Sequence, residues 1–146
     1  MIIDRKLIAS IFILIATILG IIFFLEIEFP IGLDGYFKAS YYRQFGPLAI
    51  CVELLLAGIY MLIKHAKSNF ALALFGFTAM FDPVFNLLNL FTSLVPLYAT
   101  IIFICCGIPA LWLAFTNTYK LGRISPIAAI SSFLFSISVE FFFTYM

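Results

Sequence analysis

Three carboxylates, Glu53, Asp82 and Glu140, stand inside stretches of sequence that hold almost no other charge. An ionisable side chain within a membrane costs from about 2.5 kcal/mol upward at the centre, so each needs a partner or a purpose. Asp82 and Glu140 also lie on polar lines at helical spacing. Thr78, Asp82, Asn86 and Asn89 form one such line, and Ser132, Ser136, Glu140 and Thr144 repeat every four residues. Glu53 shares a face with Ala57 and Tyr60. Two uses fit these residue types. In the first, Glu53, Asp82 and Glu140, with the amides of Asn86 and Asn89, form a binding cluster for a proton, a metal ion or a cationic solute. In the second, the hydroxyls and amides bond between helices as glue. The acids then pair with Lys38 or Arg43 reaching in from a loop, or with a cation of a partner subunit.

Few other residues invite chemistry. Cys51, Cys105 and Cys106 lie in apolar runs and read as small, polarizable packing residues. Adjacent cysteines on a helix point in different directions, which disfavours a Cys105–Cys106 bridge. A zinc site wants paired ligands at set spacing, and the one histidine, His65, sits in a lysine-rich turn as a solvated side chain. No phosphate loop, GxGxxG, HExxH or GxSxG occurs, so the sequence points to no enzyme, no metal centre and no cofactor. The eight Lys and Arg occur as short pairs between apolar runs, which is no footprint for nucleic acid.

The elements that must position the acids are membrane helices. Of 146 residues, 65% are hydrophobic and 10% charged, with a mean hydropathy of +1.21. A soluble domain carries about 25% charged residues. Lipid is the solvent such a chain fits. A span needs about 20 apolar residues, and the sequence predicts an all-α bundle of five, over 7–25, 47–63, 70–91, 94–115 and 126–146, in one domain. Residues 7–25 read as a retained helix, because no small-residue cleavage site follows them. A Thr92-Ser93 turn joins the third and fourth runs. The alternative is four spans plus a re-entrant piece, because Pro83 removes a backbone hydrogen bond within the third run.

Orientation follows from cations in the short loops. Arg5, Lys6, Lys64, Lys67, Lys120 and Arg123 fall on one side, and only Lys38 and Arg43 on the other. The first side is the cytoplasm, with the N-terminus on it, in a bacterial-type inner membrane. Trp112 and Tyr119 serve as aromatic anchors near the cytoplasmic ends, Tyr98 and Tyr145 near the outer ones. At about 1.5 Å per residue, Glu53 and Glu140 lie about 9 Å inside the outer ends of their helices and Asp82 about 13 Å. The sequence thus predicts an acidic interior open to the outside. The loop over 29–46, with Tyr36, Phe37, Tyr41, Tyr42 and Phe45, caps that end in the headgroup layer. Gly58, Gly107, Ala110 and Ala114 mark close helix packing, and Pro109 bends the fourth helix.

The segment 35–91 combines an aromatic approach at Gly35-Tyr36-Phe37, a helix, a short basic turn and a second helix broken at Phe81-Asp82-Pro83. That pattern resembles small bacterial membrane proteins of unknown function whose break reads Phe-Asn-Pro; Asp82 departs from the asparagine. Residues 45–80, with Glu53 early in a helix, are also similar to the DoxX-like four-helix family. Neither resemblance reaches the first or last helix, and neither implies a chemistry or a site residue. Small size and short turns point to an accessory or assembly subunit of a larger inner-membrane complex. The alternative is a small oligomeric proton- or cation-coupled transporter or channel working through the acids. The expected partners are the lipid bilayer and other membrane subunits, or further copies of the chain.

Overall fold

A computed structural model describes residues 5–38, 41, 44–65, 67–89, 96–116 and 124–145. Within them the chain forms five α-helices and no strand: α1 (Arg5–Leu25), α2 (Gly46–Leu62), α3 (Ser68–Leu87), α4 (Leu97–Phe115) and α5 (Pro126–Tyr145), with a 3-10 turn at Leu33–Phe37 between the first two. Three of them, α1, α3 and α4, are long and apolar enough to cross a membrane; α2, and α5 as far as Phe142, are apolar but shorter.

Local chemistry sets the helix ends. At the start of α5, Pro126 occupies the first helical position and the Ser125 hydroxyl accepts the Ala128 N–H at 3.1 Å. At the end of α2, Lys64 takes a left-handed φ of 55°. There the His65 N–H donates to the Tyr60 carbonyl at 2.8 Å and the Lys64 N–H to that of Met61 at 3.4 Å. These are the two closing bonds of a Schellman cap, with lysine in the place usually given to glycine. The Arg5 guanidinium, from the start of α1, donates to the last carbonyls of α2, Met61 and Leu62.

The third helix departs from expectation at its far end. It runs unbroken through Asp82-Pro83, so the third run is one continuous helix rather than a half-helix and a re-entrant piece. It ends at Leu87, short of the expected residue 91, because Asn89 turns into a left-handed φ of 61° and its N–H closes onto the Asn86 carbonyl at 3.2 Å. The next helix starts at Leu97 behind Pro96 rather than at 94; the expected Thr92-Ser93 turn lies outside the described residues.

The hub of the molecule is α3, which packs on α2, α4 and α5, while α1 packs chiefly on α2 and α5 meets α2 over a short stretch. Glycine allows the closest approaches. A Cβ on Gly76 would stand 2.5 Å from Leu111 Cγ and 3.2 Å from the Gly107 carbonyl oxygen across the α3–α4 contact. A Cβ on Gly58 would stand 2.8 Å from Ile13 and 3.1 Å from the Ala9 carbonyl oxygen on α1. Gly107, Ala110 and Ala114 are all buried in the expected close packing. A ladder of phenylalanines flanks the α3–α5 contact. Phe77, Phe81 and Phe85 stack along α3, Phe133 sets its edge on the first two at 5.4 and 4.9 Å, and Phe141 stacks on Phe85 at 5.4 Å. These pairs fix α3 and α5 as parallel neighbours.

The two ends of the bundle differ in charge. Arg5, Lys6, Lys64 and Lys67 gather where α1 and α3 begin and α2 ends. Glu26, Glu28, Asp34 and Lys38 occupy the opposite end. Of the other expected markers, Arg43, Lys120, Arg123, Tyr42 and Tyr119 lie outside the described residues, as do the side chains of Thr144 and Tyr145. Exposed Tyr98 and Trp112 sit near opposite ends of α4.

Candidate functional site

On α5 the buried described side chains are Ser132, Ser136 and Glu140, at 0%, 0% and 6% exposure. Its remaining faces carry exposed Ile127, Ile130, Leu134, Phe135 and Phe142. This helix therefore presents its polar line to the protein and its apolar faces outward. Ser136 Oγ donates to the Leu74 carbonyl of α3 at 3.0 Å and, within its own helix, to that of Ser132 at 2.8 Å. The Thr78 hydroxyl donates to the same Leu74 carbonyl at 2.8 Å.

Above this contact the three acids converge from α2, α3 and α5. Glu140 is hydrogen-bonded to the Asp82 carboxyl and lies within electrostatic reach of Glu53. Glu53 is hydrogen-bonded to Thr78. All three acids are buried, and Glu53 Oε2 has no hydrogen-bond partner. With α3 ending at Leu87, Asp82 lies about 8 Å from that end and Glu140 about 8 Å from the end of α5, shallower for Asp82 than the sequence suggested.

The geometry constrains the protons. A hydrogen bond between two carboxyl groups exists only while at least one of them is protonated. The Thr78 hydroxyl has one hydrogen and stands within bonding reach of both Glu53 and the Leu74 carbonyl.

The amides expected to join the acids are the more exposed members of their line. Asn86 and Asn89 are both exposed at the end of α3. Asn89 serves the backbone instead, because asparagine tolerates the left-handed conformation that closes the helix. Lys38, an expected counter-ion, lines a separate cleft of ≈ 300 Å³ at the acidic end, with Glu28, Phe29, Pro30, Gly35, Tyr41 and Gln44. A second cleft at that end is lined by Phe23, Glu26, Ile27, Gln44 and Pro47, so neither of the two opens among the acids. Among the described residues no three His, Cys, Asp or Glu side chains are placed to hold a metal ion.

Several contacts had no signal in the sequence. The Gln44 side-chain amide clasps the Glu28 backbone in both directions, at 2.9 and 2.8 Å. Tyr41 meets Phe29, Tyr36 and Phe45 in an aromatic cluster beside it. His65 is exposed but tied into the turn, stacked on Tyr60 at 4.4 Å, with Nδ1 accepting the Lys67 N–H at 3.0 Å. Cys51 and Cys106 are buried and Cys105 is exposed, all three as free thiols. No protein-family model, no curated protein and no solved structure matches the chain.

Proposed function

We propose that the chain is a five-span protein of a bacterial-type inner membrane, with its N-terminus in the cytoplasm, that carries protons on Glu53, Asp82 and Glu140 as a small proton-coupled transporter or channel. The carboxyl–carboxyl bond between Asp82 and Glu140, beside the unpartnered buried oxygen of Glu53, carries this reading. Structural glue needs hydroxyls and amides, which are inexpensive to bury once bonded. Three acids at one helix junction add a desolvation cost that packing alone does not require. The choice of a proton over a metal ion rests on the bonding of the carboxyls to protein groups and the lack of a three-ligand set among the described residues. The cations Arg5, Lys6, Lys64 and Lys67, gathered at one end, support the orientation.

Reconstitution tests it. Vesicles holding the purified chain and an internal pH dye acidify after an external acid pulse, and Asp82→Asn and Glu140→Gln remove the flux while the protein stays folded. Unchanged flux in both variants ends the proposal.

A second reading, an accessory subunit of a larger membrane complex, draws support from the position of α1. It packs chiefly on α2 and leaves Leu7, Ile11, Leu14, Ile18 and Ile21 exposed. Native mass in mild detergent separates the readings. Foreign subunits at fixed stoichiometry favour the accessory role, and a homo-oligomer or monomer favours transport.

A further inference from the structure

We propose that the cleft at the acidic end of the bundle binds a phospholipid whose headgroup carries a primary amine beside its phosphate, a phosphoethanolamine headgroup. The site is separate from the carboxyl cluster, and its lipid ligand rests on α1 and α2 meeting the membrane surface at this end.

The cleft lies between the end of α1 and the start of α2, and backbone bonds hold its walls. The Gln44 side chain clasps the Glu28 backbone through two bonds. Across the cleft, the 3-10 turn at Leu33–Phe37 leads directly into Lys38. The Lys38 N–H donates to the Gly35 carbonyl at 3.3 Å, and its own carbonyl accepts the Tyr41 N–H at 3.1 Å. Gly35 lies so close to Pro30 that a Cβ there would collide with the proline ring. Two side chains of opposite charge, Glu28 and Lys38, are thereby brought to one space of ≈ 300 Å³. Small-molecule sites measure about 300–1,000 Å³, so a headgroup suits the space better than a larger solute. Neither the Glu28 carboxylate nor the Lys38 ammonium is bonded to another described residue.

The lining selects the headgroup. Lys38 offers a positive charge and three donors to a phosphate. The Gln44 amide spends one N–H on Glu28 and has a second for the same phosphate. Glu28 receives the amine, and the rings of Phe29 and Tyr41 in the same lining add π surface for a cation. A headgroup with a phosphate and no amine brings its charge beside Glu28 with nothing to answer it. A quaternary amine has no N–H to give the carboxylate. A primary amine with a phosphate satisfies both side chains.

The rim points to a lipid as the source. Ile31, Leu33 and Phe37, on the segment that carries Lys38, are exposed, as are Phe24 and Leu25 at the end of α1. Apolar side chains around a charged cleft suit the boundary between acyl chains and headgroups. The acyl chains then lie along the exposed apolar face of α1, while the headgroup enters between Glu28 and Lys38. A water-borne amino-phosphate gains nothing from that rim.

Native mass spectrometry of the full chain in mild detergent tests the site. Short-chain phosphatidylethanolamine, phosphatidylcholine and phosphatidylglycerol are offered in equal amounts, with free phosphoethanolamine in a separate arm. The chain retains phosphatidylethanolamine in preference to the other two. Lys38→Gln and Glu28→Gln each weaken that retention about tenfold or more. Both side chains are exposed and Glu28 is clasped through its backbone, so circular dichroism shows unchanged helix content in each variant. Equal retention of the three lipids, or variants that bind like the wild type, overturns the proposal. Free phosphoethanolamine held as tightly as the lipid overturns the lipid as its source. Asp82→Asn, which tests the proton flux, leaves lipid retention unchanged, so failure of the proton-carrying reading is told apart from failure of this site.

Discussion

Glu140 and Asp82 need one another in a way that Glu53 does not need either. Their bond is carboxyl to carboxyl, whereas Glu53 is tied to a hydroxyl. Substitution separates bonding from charge. In Glu140→Gln the amide N–H replaces the shared proton and still donates to Asp82. Thermal unfolding in detergent then stays within about 1 kcal/mol of the wild type. Asp82→Ala strips Glu140 of that partner and costs about 1–3 kcal/mol by the same measurement. Lys64 makes a simpler case. Its left-handed backbone is strained for any residue with a Cβ, so Lys64→Gly raises stability by about 0.5–1 kcal/mol. At this scale the acids were legible because a carboxylate in an apolar run has few reasons to be there. Helical spacing also put Asn86 and Asn89 on the line of Asp82; both are exposed, and Asn89 closes the helix, which only backbone geometry shows.

The bundle is organised around α3. Pro83 removes the N–H that the Ala79 carbonyl would otherwise receive, yet the helix continues, held by neighbours on three sides. Gly76 is its tightest point. Gly76→Leu forces a side chain into Leu111 and the Gly107 backbone, prises α4 away and costs about 1–3 kcal/mol, read as a lower melting temperature. Ala at the same position is milder, since only the Cβ must be accommodated. Hydropathy made all five helices legible. It also overran the end of the third and anticipated the start of the fourth, because lipid-compatible residues such as Leu88 continue past the point where the backbone turns. The glycines on α2 and α4 announced close packing in advance. Their partners did not, since nothing local in the sequence pairs Gly58 with Ile13 or Gly107 with Ala79.

Among the described residues the molecule is polarised, with Arg5, Lys6, Lys64 and Lys67 at one end and Glu26, Glu28 and Asp34, beside Lys38, at the other. Single cysteines in place of Lys38 and Lys64, probed with a membrane-impermeant thiol reagent, test the orientation. Lys38→Cys reacts in intact cells and Lys64→Cys only after permeabilisation; the reverse pattern inverts the topology. Long-range ties at the two ends, Arg5 to Met61 and Gln44 to Glu28, escaped sequence reading, because each joins a side chain to a distant backbone whose position only the fold sets.

The polar line on α5 also bears on biogenesis. A nascent helix partitions from the translocon by the summed transfer cost of its side chains, and an acidic residue near the centre adds about 2.5–3.5 kcal/mol. Facing bare lipid, α5 would hold Ser132, Ser136 and Glu140 without the Leu74 carbonyl or the Asp82 carboxyl to receive them. On the five-span reading its integration is therefore templated. It enters the bilayer only alongside an α3 already installed, and a ribosome stalled before α5 leaves a four-helix intermediate with Asp82 uncovered.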